Sequence, residues 1–230
     1  MCGRYSLATT PKEIEKRFNV DPKNLEIQKD RIKARYNIGP GQNTPVIVLD
    51  DTGNKTIELM RWGYLPFWAK DINEGYRYIN ARDDSVFNKP TWKKAILNAR
   101  CIIPATSYFE WVKEGKEKHP FVHKVTDQEV FGFAGIWSVW KDVEGMEWHT
   151  FAIITTKPNK ESAAIHDRMP VILHPSEEDD WLNPDLTEPE QLSHFLRSYE
   201  DGKLEIYETS PAVNTLKLDH DQLIKPLNSA

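Results

Sequence analysis

The chain has two cysteines, and one stands directly behind the initiator methionine in "MCGRYS". Chain ends are usually loose, so Cys2 is worth little to a hydrophobic core there. Once Met1 is removed, Cys2 carries a free α-amine and a thiol on adjacent carbons. A terminal amine titrates near pH ~7.7–8.0, so a useful fraction is neutral and nucleophilic at physiological pH. No internal residue offers that pair. The expectation is that Met1 leaves and that the two nucleophiles of Cys2 act together.

Other residues could serve such a nucleophile. Glu110 lies in "SYFEWV" between aromatic neighbours, and strand alternation gives Tyr108, Glu110 and Val112 one face. A carboxyl in an apolar pocket has its pKa raised and can exchange protons near neutral pH. The alternative is an exposed strand face. His166 opens "HDRMP"; a lone histidine is ordinarily structural and matters only if it converges on Cys2 and Glu110. Asn80 and Arg82 lie in "NARDD", which by itself reads as a turn. "RWGYLPFWAK" interleaves Arg61 and Lys70 with Trp62, Tyr64, Phe67 and Trp68. Pro66 bends it, so the rings are expected on a loop, filling core or offering a platform for single-stranded bases. His119 and His123 in "HPFVH" share a strand face, with no cysteine or carboxylate spaced to complete a metal site. Phosphate-loop and dinucleotide fingerprints are absent. No metal or cofactor is expected.

These residues need a scaffold, and 230 residues can supply one large domain. No apolar run approaches the ~18 residues of a membrane span, and no basic stretch leads into an apolar one at the start. Cys2 and Cys101 make no disulfide framework. The expected setting is the cytoplasm, at the nucleoid if the source is prokaryotic. A net charge of −5 argues against a nonspecific nucleic-acid binder. Residues 1–124 hold 22 Lys+Arg against 15 Asp+Glu, and residues 125–230 hold 8 against 20, so a polarised surface is expected.

"TTPKEIEKRF" starts a helix, with Thr10 as N-cap, Pro11 first, and Glu13 completing a capping box. "PVIVLD" and "TIELMRW" flank "DTGN" as a hairpin. "RCIIPA", "SYFEWV", "HPFVHKV", "VFGFAGIWSVW", "WHTFAIITT" and "KLEIYE" read as strands. "KPNKESAAIH", "PSEEDDWL" (capped by Ser176) and "EPEQLSHFL" read as short helices. Strands and helices do not alternate strictly. The expected fold is α+β, one domain over residues 1–230, with a curved, mainly antiparallel sheet and peripheral helices.

Taken in order, "MCGR", "YNIGPGQ", "RWGYLPFW", "NAR" followed by an acid, "CIIPATSYFEW", "TT" at 155–156, "HDRMPV" and "VN" at 213–214 resemble the SRAP (SOS-response-associated peptidase) family. Its better-known members are abasic-site shield proteins. The resemblance spans nearly the whole chain and implies a barrel-like sheet. It implies Cys2 as nucleophile, with Asn80, Glu110 and His166 as companions. It implies DNA contact through Arg4, Arg82 and Arg168, through Pro40 and the Trp68 loop, and through Thr155 by position. Members usually carry Ser–Glu after "NAR", where this chain has Asp83–Asp84. The implied partner is single-stranded DNA containing abasic sites, met by a monomer and held as a thiazolidine crosslink. A thiol peptidase acting in trans, a noncovalent single-strand binder and an abasic lyase are the alternatives.

Overall fold

The computed structural model describes residues 2–227. The expected loss of Met1 lies outside the described residues. In chain order the strands are β1 (Tyr5–Leu7), β2 (Arg35–Ile38), β3 (Asn43–Leu49), β4 (Lys55–Trp62), β5 (Asn80–Arg82), β6 (Arg100–Ala105), β7 (Ser107–Glu114), β8 (Glu117–Val125), β9 (Phe131–Lys141), β10 (Glu147–Thr156), β11 (Met169–Pro170), β12 (Ile172–Leu173) and β13 (Leu204–Glu208). The α-helices are α1 (Pro11–Phe18), α2 (Pro22–Gln28), α3 (Pro90–Asn98), α4 (Lys160–Ala163), α5 (Glu178–Leu182) and α6 (Pro189–Ser193).

The expected α+β fold with a barrel-like sheet is what forms. β10, β4, β3, β6 and β9 pair in sequence, and β9 pairs back onto β10, closing a ring. Only the β10–β4 contact in that ring is parallel. Closure leaves no free edge in the ring. Glycines permit the tight β6–β9 approach: a Cβ on Gly135 would collide with Ile103 and Cys101. A second sheet, ordered β13-β8-β7-β1-β2, packs against the barrel. Tyr5 joins the two layers. Its ring meets Trp62 edge-on at 5.3 Å and Phe133 at 5.9 Å, and its hydroxyl donates to Thr44 Oγ1.

The α1 reading holds in detail. Thr10 and Glu13 form the capping box, and Ile14 and Phe18 are buried. Thr10→Ala is expected to lower stability by about 1 kcal/mol, read as a drop in the urea midpoint. An unchanged midpoint would show that packing of Ile14 and Phe18 alone holds the helix.

Some expectations need correction. Ser176 caps nothing: Pro175–Glu177 is a 3₁₀ turn, and Glu177 precedes α5. Trp62 is not on a loop; it ends β4, fully buried, stacked 6.3 Å from Phe151. The rest of that aromatic group divides. Tyr64 is buried, whereas Phe67 is 85% and Trp68 42% exposed. Helices α2 and α3 and strands β1, β2 and β5 were not anticipated. The short strands are pinned by their neighbours rather than by a pattern of their own.

Candidate active site at the N-terminal cysteine

Strand β1 sits between β2 and β7, with Tyr5 opposite both Ile38 and Tyr108. Residues just before it are carried along β7, where Phe109 N–H donates to Arg4 O at 3.0 Å. This brings Cys2 inward until it is fully buried. Its Sγ–H donates to Arg4 O at 3.6 Å. Asn80 arrives from the other sheet on β5, which runs parallel to β10. Its Nδ2 donates to Cys2 O at 2.8 Å.

Glu110 follows on β7 and is only 3% exposed. Burial lifts its carboxyl to about 7. Burial, and next the charge of Glu110, push the Cys2 thiol well above its ordinary value. At neutral pH the sulfur is therefore a thiol beside a carboxyl poised to exchange a proton.

His166 stands across from Glu110, Nε2 to Oε2 at 4.0 Å. Burial holds the ring below its usual pKa, favouring the neutral form. Nδ1 lies 3.0 Å from the Arg168 amide and 2.9 Å from Asp167 Oδ1. A neutral ring accepts from the amide at Nδ1 and so carries its proton on Nε2, facing Glu110. The Asp167 contact gains strength only when the ring is protonated.

The floor below is built on Tyr108 and His123. Tyr108 stacks on buried His123 at 4.4 Å, and burial drops the His123 pKa to about 4. Tyr108 Oη lies 3.3 Å from Ser162 Oγ on α4, and Ser162 O accepts from the His166 amide. This tyrosine–serine contact ties β7 to the segment that carries His166. The sequence offered no sign of it.

The three arginines play different parts. Arg82 is exposed and pairs with Asp84 at 2.6 Å. Arg168 is only 5% exposed, and its Nη2 donates to Asp83 at 2.6 Å and to Thr155 O. Buried Thr155 thus lies beneath the site, and Asp83 also accepts from Thr156 at 2.7 Å. The two acids after "NAR" each take one arginine. Arg4 donates to Asn37 Oδ1 and Val213 O, with its guanidinium 6.0 Å from the Trp111 ring centre.

Cys2, Asn80, Glu110 and His166 thus come together. A groove of about 510 Å³ opens onto Glu110 and His166, lined also by Gly3, Arg4, Trp111 and Asn214, with Lys113, Lys116 and Lys118. Cys2 and Asn80 lie behind that lining, and Pro40, Trp68, Arg82, Thr155 and Arg168 do not line it either. Pro40 is partly exposed in the turn after β2, which is held to β4 by the Gly41 N–H bond to Trp62 O at 2.7 Å. Phe67 and Trp68 form an exposed edge-to-face pair at 4.9 Å. A larger hollow of about 820 Å³, lined by Asp21, Lys55 and Asp179 among others, holds none of these residues.

Asn37 is an organiser that sequence reading missed, although it sits in the "YNIGPGQ" stretch. Its Nδ2 donates to Thr215 O at 2.9 Å and Leu218 O at 2.8 Å, and its Oδ1 receives Arg4. It thereby fixes the segment whose Asn214 accepts from Trp111 Nε1 at 2.6 Å. Asn37→Ala is expected to cost about 1–3 kcal/mol, because two part-buried carbonyls and Arg4 lose partners at once. Urea denaturation measures it; a loss below about 0.5 kcal/mol would mean the segment holds itself.

The family model described as "SOS response associated peptidase (SRAP)" matches residues 1–216. Abasic site processing protein YoqW of Bacillus subtilis (strain 168) is 40% identical over 226 residues, covering 98% of this chain and 99% of the relative. Abasic site processing protein YedK of Escherichia coli (strain K12) is 28% identical, covering 99% of this chain and all (100%) of the relative. A crystal structure of a protein from Bacteroides thetaiotaomicron superposes with a TM-score of 0.85 at 29% identity, covering 98% of this chain and 99% of that one. On that family match and that 40% identity, both nearly end to end, this chain belongs to the SRAP family.

Proposed function

We propose that this protein captures the ring-opened aldehyde of an abasic site in single-stranded DNA and shields the lesion as a covalent adduct. With Met1 removed, the Cys2 amine adds to the aldehyde carbon. The carbinolamine loses water and leaves an iminium. The thiol adds to the same carbon, gives its proton to a neighbouring base, and closes a five-membered thiazolidine. One water is released overall. Ring closure is fast because the thiol is already tethered beside that carbon. Sulfur addition consumes the iminium and suppresses the β-elimination that breaks the strand.

Glu110, near half-protonation at neutral pH, suits the proton shuttle. It supplies a proton to the departing water and then takes one from the buried thiol. Neutral His166, with Nε2–H toward Glu110, suits sugar-ring opening and reversal of the crosslink. Asn80 orients Cys2 through its carbonyl. Arg82 is exposed, so a phosphate can replace Asp84 as its partner, and Arg4 adds positive charge at the groove wall. Arg168 and Thr155, being buried, act through Asp83 and the backbone rather than by touching DNA. Phe67 and Trp68, with Pro40 nearer β4, offer apolar contact to bases further along the strand.

The observation that carries this reading is convergence. Cys2, Asn80, Glu110 and His166 come from four separate stretches: Asn80 holds the Cys2 carbonyl, the Glu110 charge acts on the Cys2 thiol, and Glu110 faces His166 in the groove wall. The relatives' shared name, abasic site processing protein, supports the substrate class. A thiol peptidase acting in trans is disfavoured, since it needs a thiolate stabilised beside its histidine. Here the thiol is buried and its pKa raised. Peptidase action is confined in this proposal to release of Met1. The protein works as a monomer in the cytoplasm, at the DNA.

Intact mass spectrometry after mixing with an abasic single-stranded oligonucleotide tests the reading. The expected mass is Met1-free protein plus oligonucleotide minus one water. Absence of that species, with salt-reversible binding only, would overturn it.

A further inference from the structure

The β7–β8 hairpin carries an arrangement of charge that its own stability does not favour. The register sets Lys113 opposite Lys118 and Glu114 opposite Glu117. Like charges directly opposite across a strand pair are destabilising. Alternation sorts them by face: Trp111, Lys113 and Lys118 share one, and Val112, Glu114, Glu117 and His119 share the other. The glutamate face is relieved by His119, whose Nε2 lies 3.5 Å from Glu117 and 4.0 Å from Glu114, while Nδ1 meets Glu208 at 2.9 Å. The lysine face has no such relief. Among the described residues none of Lys113, Lys116 and Lys118 has an ion-pair partner, and all three are exposed. They line the same groove as Glu110 and His166.

We infer that this hairpin is a phosphate-binding arm. Lys113, Lys116 and Lys118 grip the backbone of single-stranded DNA on one bank of the groove, with the Trp111 face beside them for an adjacent base. Trp111 is held for this by Asn214 at its indole nitrogen, and Arg4 extends the positive charge toward the floor. The repulsion between paired lysines is offset when phosphates lie between them. The inference rests on the proposed DNA substrate, and it assigns the arm to binding rather than to the chemical step.

The test compares Lys113→Ala/Lys116→Ala/Lys118→Ala with a charge-matched control, Lys12→Ala/Lys16→Ala/Lys23→Ala, whose sites do not line this groove. The probe is a single-stranded oligonucleotide with a central tetrahydrofuran, an abasic analogue lacking the aldehyde. The hairpin variant is expected to bind about tenfold or more weakly, and its log–log salt slope to shrink by about 2, three phosphate contacts at ~0.7 each. The control stays within about twofold. The hairpin variant's melting temperature matches or exceeds the parent's, because removing Lys113 and Lys118 removes a repulsion. With a true abasic strand at saturation, the covalent rate of the hairpin variant equals the parent's while its half-saturating concentration rises. Equal losses in both variants, or an unchanged salt slope, would overturn the arm. So would a slowed rate at saturation. A parent that binds the tetrahydrofuran strand yet never crosslinks would sink the Cys2 chemistry, while the binding comparison still decides the arm.

Discussion

Cys2→Ala is expected to abolish the heat-stable adduct while leaving a protein that still attacks the lesion. Alanine at position 2 is small enough for a general methionine aminopeptidase to remove Met1 without the thiol, so the terminal amine is retained. Only the sulfur is lost. The amine then forms an imine that hydrolyses or undergoes β-elimination, because nothing closes the ring. Tethering accounts for the size of the effect: an intramolecular thiol acts at an effective concentration no free thiol approaches, so stable adduct falls by at least about a hundredfold. Strand cleavage rises in parallel, and borohydride rescues a covalent band by reducing the imine. The fold tolerates the change, since the buried sulfur makes one long bond, to Arg4 O at 3.6 Å. Denaturing gels of heated reactions measure the outcome. A variant that forms as much heat-stable adduct as the parent would eliminate the thiazolidine.

Glu110→Gln is expected to move activity and stability in opposite directions. Removal of a general acid–base costs about 10²–10⁴ in rate, so single-turnover crosslinking falls by at least about a hundredfold. Stability follows from linkage. The folded carboxyl titrates at about 7, against 4.5 for an unperturbed glutamate. The folded state therefore holds this proton more tightly than the unfolded state does. The stabilising contribution is complete below about 4.5 and is lost as pH rises through about 7. The loss is at most about 3 kcal/mol above pH 7. Glutamine cannot ionise, so the variant shows no such decline and is more stable than the parent at pH 8, with little difference at pH 5. Crosslinking rates across pH 5.5–8.5 and denaturation at the two pH values check both halves. Parent and variant losing stability equally from pH 5 to pH 8 would show that Glu110 is hydrated and is not the poised group. A catalytic carboxyl kept in an apolar site at a cost in stability is a common trade.

What could be read along the chain was local or carried by order. The α1 capping box was visible because its partners lie within one turn. The β3–β4 hairpin was visible because alternation and a glycine turn are adjacent in sequence. The candidate residues Cys2, Asn80, Glu110 and His166 were nameable because short distinctive motifs occur in a fixed order. Other features escaped. β1 and β5 are three residues each, too short for a pattern, and exist because β2, β7 and β10 pair with them. Asn37 anchors a segment some 180 positions away, for its Nδ2 reaches Leu218 O across a separation of 181. Rings in "RWGYLPFWAK" look alike in sequence, yet Trp62 is buried and Phe67 is 85% exposed.

By itself the sequence determined residue chemistry: a thiol at position 2, one residue behind Met1, a carboxyl, an imidazole and an amide in recognisable settings, and a mixed strand–helix composition. Tertiary structure alone decided which of these share a dielectric. Closing the barrel and laying β1 beside β7 removed water from Glu110 and Cys2, and that desolvation sets their protonation. It also turned Arg168 inward to Asp83 while leaving Arg82 outside. Burial is a property of neighbours distant in sequence, so a linear pattern cannot carry it.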